Sequence, residues 1–478
     1  VRSSPVIVWF RNDLRIADNP ALAAATETGA PVVALYVLDD AAPDLWRRGA
    51  ASRWWLHHSL QSLSETLQEL GIQLVLRQGR AEFLIEDLAV KIGATKIYWN
   101  RLYEPWAMER DSLIKTQLRN QNIEAQSFNA SLLFEPSHLR NKQGEVFKVF
   151  TPFWRACLAA AAPQSPLAAP KKLNSFSGVE SDILSQWTLT PRRPDWAKAF
   201  SASWEVGEAA ALNKLKLFLS KKIISYKIDR DFMAKEGVSR LSPHLHFGEI
   251  SPRQIWFLTQ KKMPNSSEAF LREIGWREFC YHLLVANPQM PSQPLDRKFG
   301  RFAWREDVVG LEAWQRGQTG YPIIDAAMRE LWVTGYMHNR ARMVAASFLV
   351  KHLLVPWQEG ARWFWDTLVD ADLANNSGGW QWVSGCGADA APYFRVFNPV
   401  IQGEKFDPEG AYVRKYVPEV SKLPKRFIHR PWEAPSEVLQ AADVVLGKTY
   451  PHPIVDHVFA RQRALKAYEN LRLENTNA

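Results

Sequence analysis

Residues 6–15 read VIVWFRNDLR, in which an apolar run from Val6 to Phe10 passes directly into Arg11-Asn12-Asp13-Leu14-Arg15. A short unbroken apolar run rich in β-branched side chains is the pattern of a strand covered on both faces. Runs of the same kind recur near Val32–Leu38, Gln73–Leu76 and Lys96–Trp99, separated by helix-patterned segments such as Ser52–Leu70 and Ala81–Ile92. Strands that alternate with helices imply a parallel sheet with helical crossovers on its faces, an α/β domain. A dinucleotide-binding version would carry Gly-x-Gly-x-x-Gly after its first strand. Arg11–Arg15 stands there instead, so the phosphate-cradling loop is missing.

The chain of 478 residues is long enough for two or three domains, and its 46% hydrophobic content is that of a globular protein. From Ala159 to about Pro194 the composition shifts to Ala, Pro, Ser and Lys with little periodicity, which reads as a long connection. Beyond Ser203 the segments Glu208–Ser220, Ser267–Val285, Tyr321–Thr334, Asn339–His352 and Glu359–Asp366 are helix-patterned, and the C-terminal domain is expected to be all-α. No apolar run reaches the length of a membrane span, and Val1 to Phe10 enters a strand-like pattern rather than a secretory signal. Cys157, Cys280 and Cys386 lie far apart, which argues against a disulfide framework and against a four-cysteine iron–sulfur cluster. A cytoplasmic protein is expected. The net charge of +9 favours a polyanionic partner, because cationic side chains that neutralise phosphates release condensed counterions.

The densest chemistry lies between Asp370 and Trp382, where Asp370, Asp372, Asn375, Asn376, Gly378, Gly379, Trp380, Gln381 and Trp382 stand together. Acids and amides hydrogen-bond a polar heterocycle, glycines admit close backbone approach, and indoles stack on rings or pass electrons. The stretch therefore reads as a site for a large aromatic cofactor. Val238-Ser239-Arg240-Leu241-Ser242 reads as a turn leading toward a helix and suits a phosphate or pyrophosphate. On the expected helix Phe270–Leu284, Glu273, Trp276 and Arg277 share a face, and Asn339, Arg342 and Met343 do so on another. His244 and His246 lack a third ligand nearby, so no metal is expected.

Taken together, Trp9 to Arg15, Ser239 to Ser251 (SRLSPHLHFGEIS), Trp276 to Phe279, Tyr321 to Ala327 (YPIIDAA) and Met337 to Met343 resemble the photolyase/cryptochrome family over essentially the whole chain. The resemblance is to bacterial cyclobutane-dimer enzymes, including the class III subgroup near plant cryptochromes. It implies a Rossmann-like α/β domain with a five-stranded parallel sheet over residues 1–131, a linker over 132–200, and an all-α FAD-binding domain over 201–478. Tyr226 and Val238 to Ser242 would bind the FAD phosphates, with Phe270, Glu273, Asn339, Arg342, Asp370, Asp372 and Asn376 around the rest of it. Val238 stands where a threonine is common.

Three features of the resemblance imply repair rather than light sensing, the alternative being a cryptochrome-type photoreceptor. Asn376 matches the amide that photolyases place beside the reactive flavin nitrogen, where plant sensors tend to carry an acid. Trp276 and Trp382 match indoles that stack on a thymine dimer. Asn339 and Met343 stand where enzymes for the (6-4) lesion carry histidines. The implied activity is a photo-lyase reaction on DNA containing cyclobutane pyrimidine dimers, with Glu273, Trp276 and Asn376 at the reacting centre and Arg230, Arg340 and Arg395 on the DNA face. Trp380, Trp357 and Trp304 resemble an electron relay, with Trp314 or Trp332 as branches. A second pigment on the N-terminal domain is expected to be 5,10-methenyltetrahydrofolate, with 8-hydroxy-5-deazaflavin as the alternative. The glutamate of folate-binding relatives is replaced by Ala107, and Trp106 stands beside it. The expected oligomeric state is a monomer.

Overall fold

A computed structural model describes residues 4–476. Their contacts divide into two compact units interleaved in sequence: residues up to Ile224 with Ser239–Pro288 and Val369–Ala374, and Ser225–Val238 with Gln289–Leu368 and the chain from Asn375 onward.

The first unit contains the α/β domain. Its strands are β1 (Val6–Phe10), β2 (Val32–Leu38), β3 (Leu74–Gln78), β4 (Lys96–Asn100) and β5 (Glu124–Phe128). They form one parallel sheet in the order β3-β2-β1-β4-β5. Helices α1 (Pro20–Glu27), α2 (Ala50–Glu69), α3 (Ala81–Ile92) and α4 (Pro105–Asn120) make the crossovers. β1 is central and buried along its whole length, as its unbroken apolar run requires. Ile7, Trp9, Val33, Leu35, Ile97 and Trp99 form the core beneath α3 and α4. β5 (EAQSF) carries no apolar strand pattern because it is an edge strand with polar residues on it.

Strand order reverses between β1 and β4, the place where doubly wound sheets usually open a ligand crevice. Here the chain fills it. Arg11 is buried and bonds the Asn100 carbonyl and, at 2.6 Å, Asp111. Asn100 donates to Asp13 at 2.6 Å and to Asn19 at 2.7 Å. The Arg11–Arg15 segment thus replaces a phosphate loop with an internal polar network. Against it lies the turn after the short Ser242–His246 helix, where Gly248 has φ +66°. A Cβ on Gly248 would stand 2.1 Å from the Asn12 carbonyl oxygen, so only glycine fits.

The segment expected to be the linker, 132–200, contains helix α5 (Phe150–Ala159), whose Phe150, Phe153, Trp154 and Cys157 are buried. The remainder follows the sheet, with Val32 bridging Ser175 and Asp182 N–H donating to the Leu76 carbonyl at 2.9 Å. Further helices of the first unit are Glu208–Lys221, Pro252–Lys262 and Glu268–Ala286.

The second unit is helical among its described residues, with Pro322–Thr334, Asn339–Ser347, Trp357–Thr367 and His457–Thr476 prominent. Within it, Asp325 of the YPIIDAA stretch is buried and accepts from Thr319 N–H (2.7 Å), Thr319 Oγ (2.6 Å) and Tyr450 OH (2.6 Å). That acid is a structural tie. The helix expected over Asn339–His352 is α-helical only to Ser347, and Phe348–Leu353 is π-helical. Apolar periodicity does not separate the two forms when every residue of the segment is buried, as here. Among the described residues no helix is long and apolar enough to cross a membrane.

Replacing Gly248 by alanine forces both a left-handed backbone and a backbone clash, and is expected to cost about 2–4 kcal/mol. Thermal or denaturant unfolding of Gly248→Ala tests this, and a wild-type midpoint would show that the turn relaxes freely.

Candidate functional site

In the first unit the Val369–Ala374 segment brings two buried acids, Asp370 and Asp372, against the SRLSPHLHFGEIS stretch. Ser242 donates its hydroxyl to Asp370 at 2.6 Å. Just before it, Arg240 adopts φ +53°, a conformation uncommon for a residue with a side chain and one that concentrates at functional sites. The Arg240 guanidinium lies over the Trp204 ring at 4.3 Å.

Tyr281 and His246 are among the groups around Asp372. Tyr281 OH donates to it, and His246 Nδ1 stands 3.7 Å away. Burial alone would raise its pKa, but the adjacent His246 ring, the Arg277 charge and the Tyr281 bond outweigh that and hold the carboxyl well below its usual range. Asp372 is therefore a fixed anion, ready to accept from a ligand N–H or hydroxyl. Burial raises the Glu104 pKa, and its Oε2 has no hydrogen-bond partner among the described residues.

The Glu268–Ala286 helix carries Phe270, Glu273 and Trp276. Phe270 is buried against Phe218, ring centroids 4.6 Å apart, whereas Glu273 and Trp276 are half-buried. Two neighbours anchor this helix. Arg277 donates to the Ser131 carbonyl at 2.7 Å, and Glu278 Oε2 accepts from Leu133 N–H at 2.9 Å and Phe134 N–H at 3.2 Å.

In the second unit Asn376 donates Nδ2 to the Ala361 carbonyl at 3.0 Å, which fixes the amide plane and leaves its oxygen to meet a ligand. Tyr226 is buried with Arg230 over its ring at 5.3 Å, and Val238 is half-buried. Arg342 donates to the Met337 carbonyl at 2.8 Å. Asn339 is exposed at the start of its helix, and its amide lies 4.0 Å from the Met343 sulfur. Arg340 pairs with Asp231 at 2.6 Å, whereas Arg395 is exposed.

Trp380 is buried, and Gly360 makes room for it, since a Cβ there would fall 2.1 Å from Trp380 Cη2. Its ring neighbours are Phe364 at 4.9 Å and Trp314 at 6.2 Å, so the structure brings Trp314 into the aromatic cluster. Trp357 is buried at the start of its helix, Trp304 is half-buried against Phe302 at 4.4 Å, and Trp382 is half-buried. Trp332 stacks on Trp363 at 6.3 Å.

Within the first unit, an ionised buried carboxylate and a serine–acid pair offer acceptors and a hydroxyl of the kind that the N–H edges and hydroxyls of a flavin dinucleotide require. Residues 270–470 match the family model described as the FAD binding domain of DNA photolyase, and residues 6–171 match the model described as DNA photolyase. The chain belongs to the photolyase/cryptochrome family. It is 50% identical to a deoxyribodipyrimidine photo-lyase of Agrobacterium fabrum over 98% of both chains. It is 40% identical to cryptochrome-1 of Arabidopsis thaliana, covering 97% of this chain and 70% of that one. The crystal structure of a bacterial class III photolyase from Agrobacterium tumefaciens superposes with a TM-score of 0.95 at 49% identity, over 99% of this chain and 98% of that one. FAD is accordingly the cofactor of this fold.

Sequence reasoning passed over Tyr281 and His246 as holders of Asp372. Tyr281 follows Arg277 by one helical turn, a spacing that was available, but pairing it with Asp372 needs the tertiary fold.

Burial pushes the Glu278 pKa up to about 7 from 4.5, against the lowering effects of Arg277 and the Leu133 and Phe134 amides. Because the folded state holds this proton more tightly, the contribution to stability is full below about pH 4.5 and is lost as pH rises through about 7, a change of roughly 3 kcal/mol. Glu278→Gln should flatten that decline in a thermal midpoint series from pH 5 to about pH 8. Parallel profiles for the two proteins would mean that Glu278 is ionised throughout.

Proposed function

We propose that this protein is a deoxyribodipyrimidine photo-lyase, a carbon–carbon lyase that uses blue light to split cyclobutane pyrimidine dimers in DNA. The observation that carries the reading is the amide of Asn376, oriented by Ala361, in a chain that aligns end to end with an enzyme named for this activity. An amide has no acidic proton to give a reduced flavin, which favours the anionic form needed for repair. When bound, reduced FAD supplies the light-driven electron that opens the dimer and takes it back afterwards, so the reaction has no net redox change.

The chain's own residues bind, orient and tune. Tyr226 and Val238, Ser239, Arg240, Leu241 and Ser242 hold the cofactor phosphates, while Phe270, Glu273, Asn339, Arg342, Asp370, Asp372 and Asn376 serve the remainder. Val238 offers no hydroxyl, and Ser239 and Ser242 provide the side-chain hydroxyls of the segment. Trp276 and Trp382 stack on the dimer beside Asn339 and Met343, and Glu273 hydrogen-bonds its edge, stabilising added negative charge away from water. The lesion leaves the duplex to be reached, as the general behaviour of base-flipping enzymes requires. Arg230, Arg340 and Arg395 meet DNA phosphates and give salt-dependent, sequence-independent affinity, Arg340 by exchanging Asp231 for a phosphate.

Trp304, Trp357 and Trp380 pass an electron inward from the surface, and the contact of Trp380 with Trp314 favours a branch there. The second pigment is methenyltetrahydrofolate, with 8-hydroxy-5-deazaflavin as the alternative. The half-buried indole of Trp106, in the first turn of α4, supplies a stacking face beside Tyr103 and Glu104. Three free thiols suit a reducing cytoplasm, and the protein acts as a monomer.

Glu273→Ala should retain FAD, read from the flavin absorption spectrum, while the quantum yield of dimer splitting falls at least several-fold. A wild-type yield would remove the proposed role. Trp380→Phe is expected to block photoreduction of the oxidised flavoprotein and to spare repair by enzyme reduced beforehand; retained photoreduction would assign the electron supply to another route.

A further inference from the structure

Trp276 is stacked before any substrate arrives. Phe150, the first residue of α5, lies parallel to its indole with centroids 3.8 Å apart and planes 7° apart. The guanidinium of Arg272 also lies over the Phe150 ring, 5.0 Å from its centroid. The arrangement is set by helix packing. Trp154, one turn along α5, lies against Gly275, where a Cβ would stand 2.4 Å from Trp154 Cε3. Phe153 packs on Phe279 at 5.2 Å and on His282 at 4.9 Å. The bare backbone at Gly275 lets α5 approach closely enough for Phe150 to land over the neighbouring indole.

We propose that Phe150 is a positioning residue for lesion recognition, holding the Trp276 ring in the plane that receives a flat pyrimidine dimer on its other face. This rests on the reading of Trp276 as a dimer-stacking residue. Phe150 is buried and Trp276 is half-buried, so one face of the indole is committed to the protein while part of the ring stays accessible. Turning the indole about its side-chain bonds would break the contact with Phe150. The ordering cost that a free ring would incur on binding is therefore met during folding. The segment that reads as a linker in the sequence thus supports part of the substrate site.

The test uses the full-length FAD-loaded protein and its variants Phe150→Leu, Phe150→Met, Phe150→Tyr and Trp276→Ala. Affinity is measured for an oligonucleotide with a single thymine dimer and for its undamaged counterpart, with flavin content and thermal midpoint as folding controls. Phe150→Leu, or Phe150→Met if leucine loses flavin, is expected to weaken dimer binding roughly 3- to 10-fold, the range for one side chain left to be ordered on binding. Affinity for undamaged DNA and the yield of the bound complex should stay unchanged, and Phe150→Tyr, which keeps the flat ring, should restore dimer affinity. Wild-type discrimination in the leucine and methionine variants, while Trp276→Ala loses it, overturns the positioning role alone. Equal weakening on damaged and undamaged DNA, or no rescue by tyrosine, also overturns it. Discrimination retained by Trp276→Ala removes the reading of Trp276 and the proposal with it.

Discussion

Asp18, a carboxylate withdrawn entirely from solvent, is the tie on which the first unit depends. It accepts from the Ser251 hydroxyl at 2.5 Å, from Arg253 Nε at 3.1 Å and from Leu167 N–H at 3.0 Å, and Arg253 Nη2 lies 2.9 Å from it as an ion pair. Nearby, Arg15 donates to the Gly248 carbonyl at 2.8 Å and the Ala130 carbonyl at 2.9 Å. Loop, turn and linker are joined around one buried ion pair. Breaking such a pair on one side costs about 3–5 kcal/mol, because the partner charge is left without compensation. The same turn follows the helix that carries Ser242 and His246, whose partners are Asp370 and Asp372. A charge buried at the end of the sheet therefore fixes the backbone that carries the partners of Asp370 and Asp372.

This arrangement explains why the chain has an α/β sheet without a nucleotide loop. The crevice at the strand reversal holds Arg11, Asp13, Asn19 and Asn100, bonded to one another. The sheet acts as a platform for the polypeptide itself. The Glu268–Ala286 helix, which carries Glu273 and Trp276, is fastened through Glu278 to the Leu133 amide and through Tyr281 to Asp372.

Much of this was legible in the residues, and the failures have physical causes. β1 and β2 were readable because a fully buried strand is an unbroken β-branched run, and α3 because apolar residues recur at helical spacing and Gly93 ends it in a left-handed turn. β5 was hidden by its polar edge, and the π-helical stretch by its uniform burial. The composition around Asp370–Trp382 announced a cofactor, but the orientation of each group did not follow from it. That Asn376 leans on Ala361 and that Trp380 occupies the space left at Gly360 are facts of packing between the successive helices Trp357–Thr367 and Leu373–Ser384, set by an angle that no residue pattern states. Phe150 was concealed for another reason: its apolar helix face is short and precedes a long stretch with no periodicity.

The most direct measurement is single-turnover illumination of the reduced flavoprotein bound to an oligonucleotide with one thymine dimer, following the dimer and the flavin spectrum together. The account predicts that the thymines are restored while the flavin ends in the reduced state in which it began. An intact dimer after illumination of a complex shown to contain both reduced FAD and the lesion would contradict it.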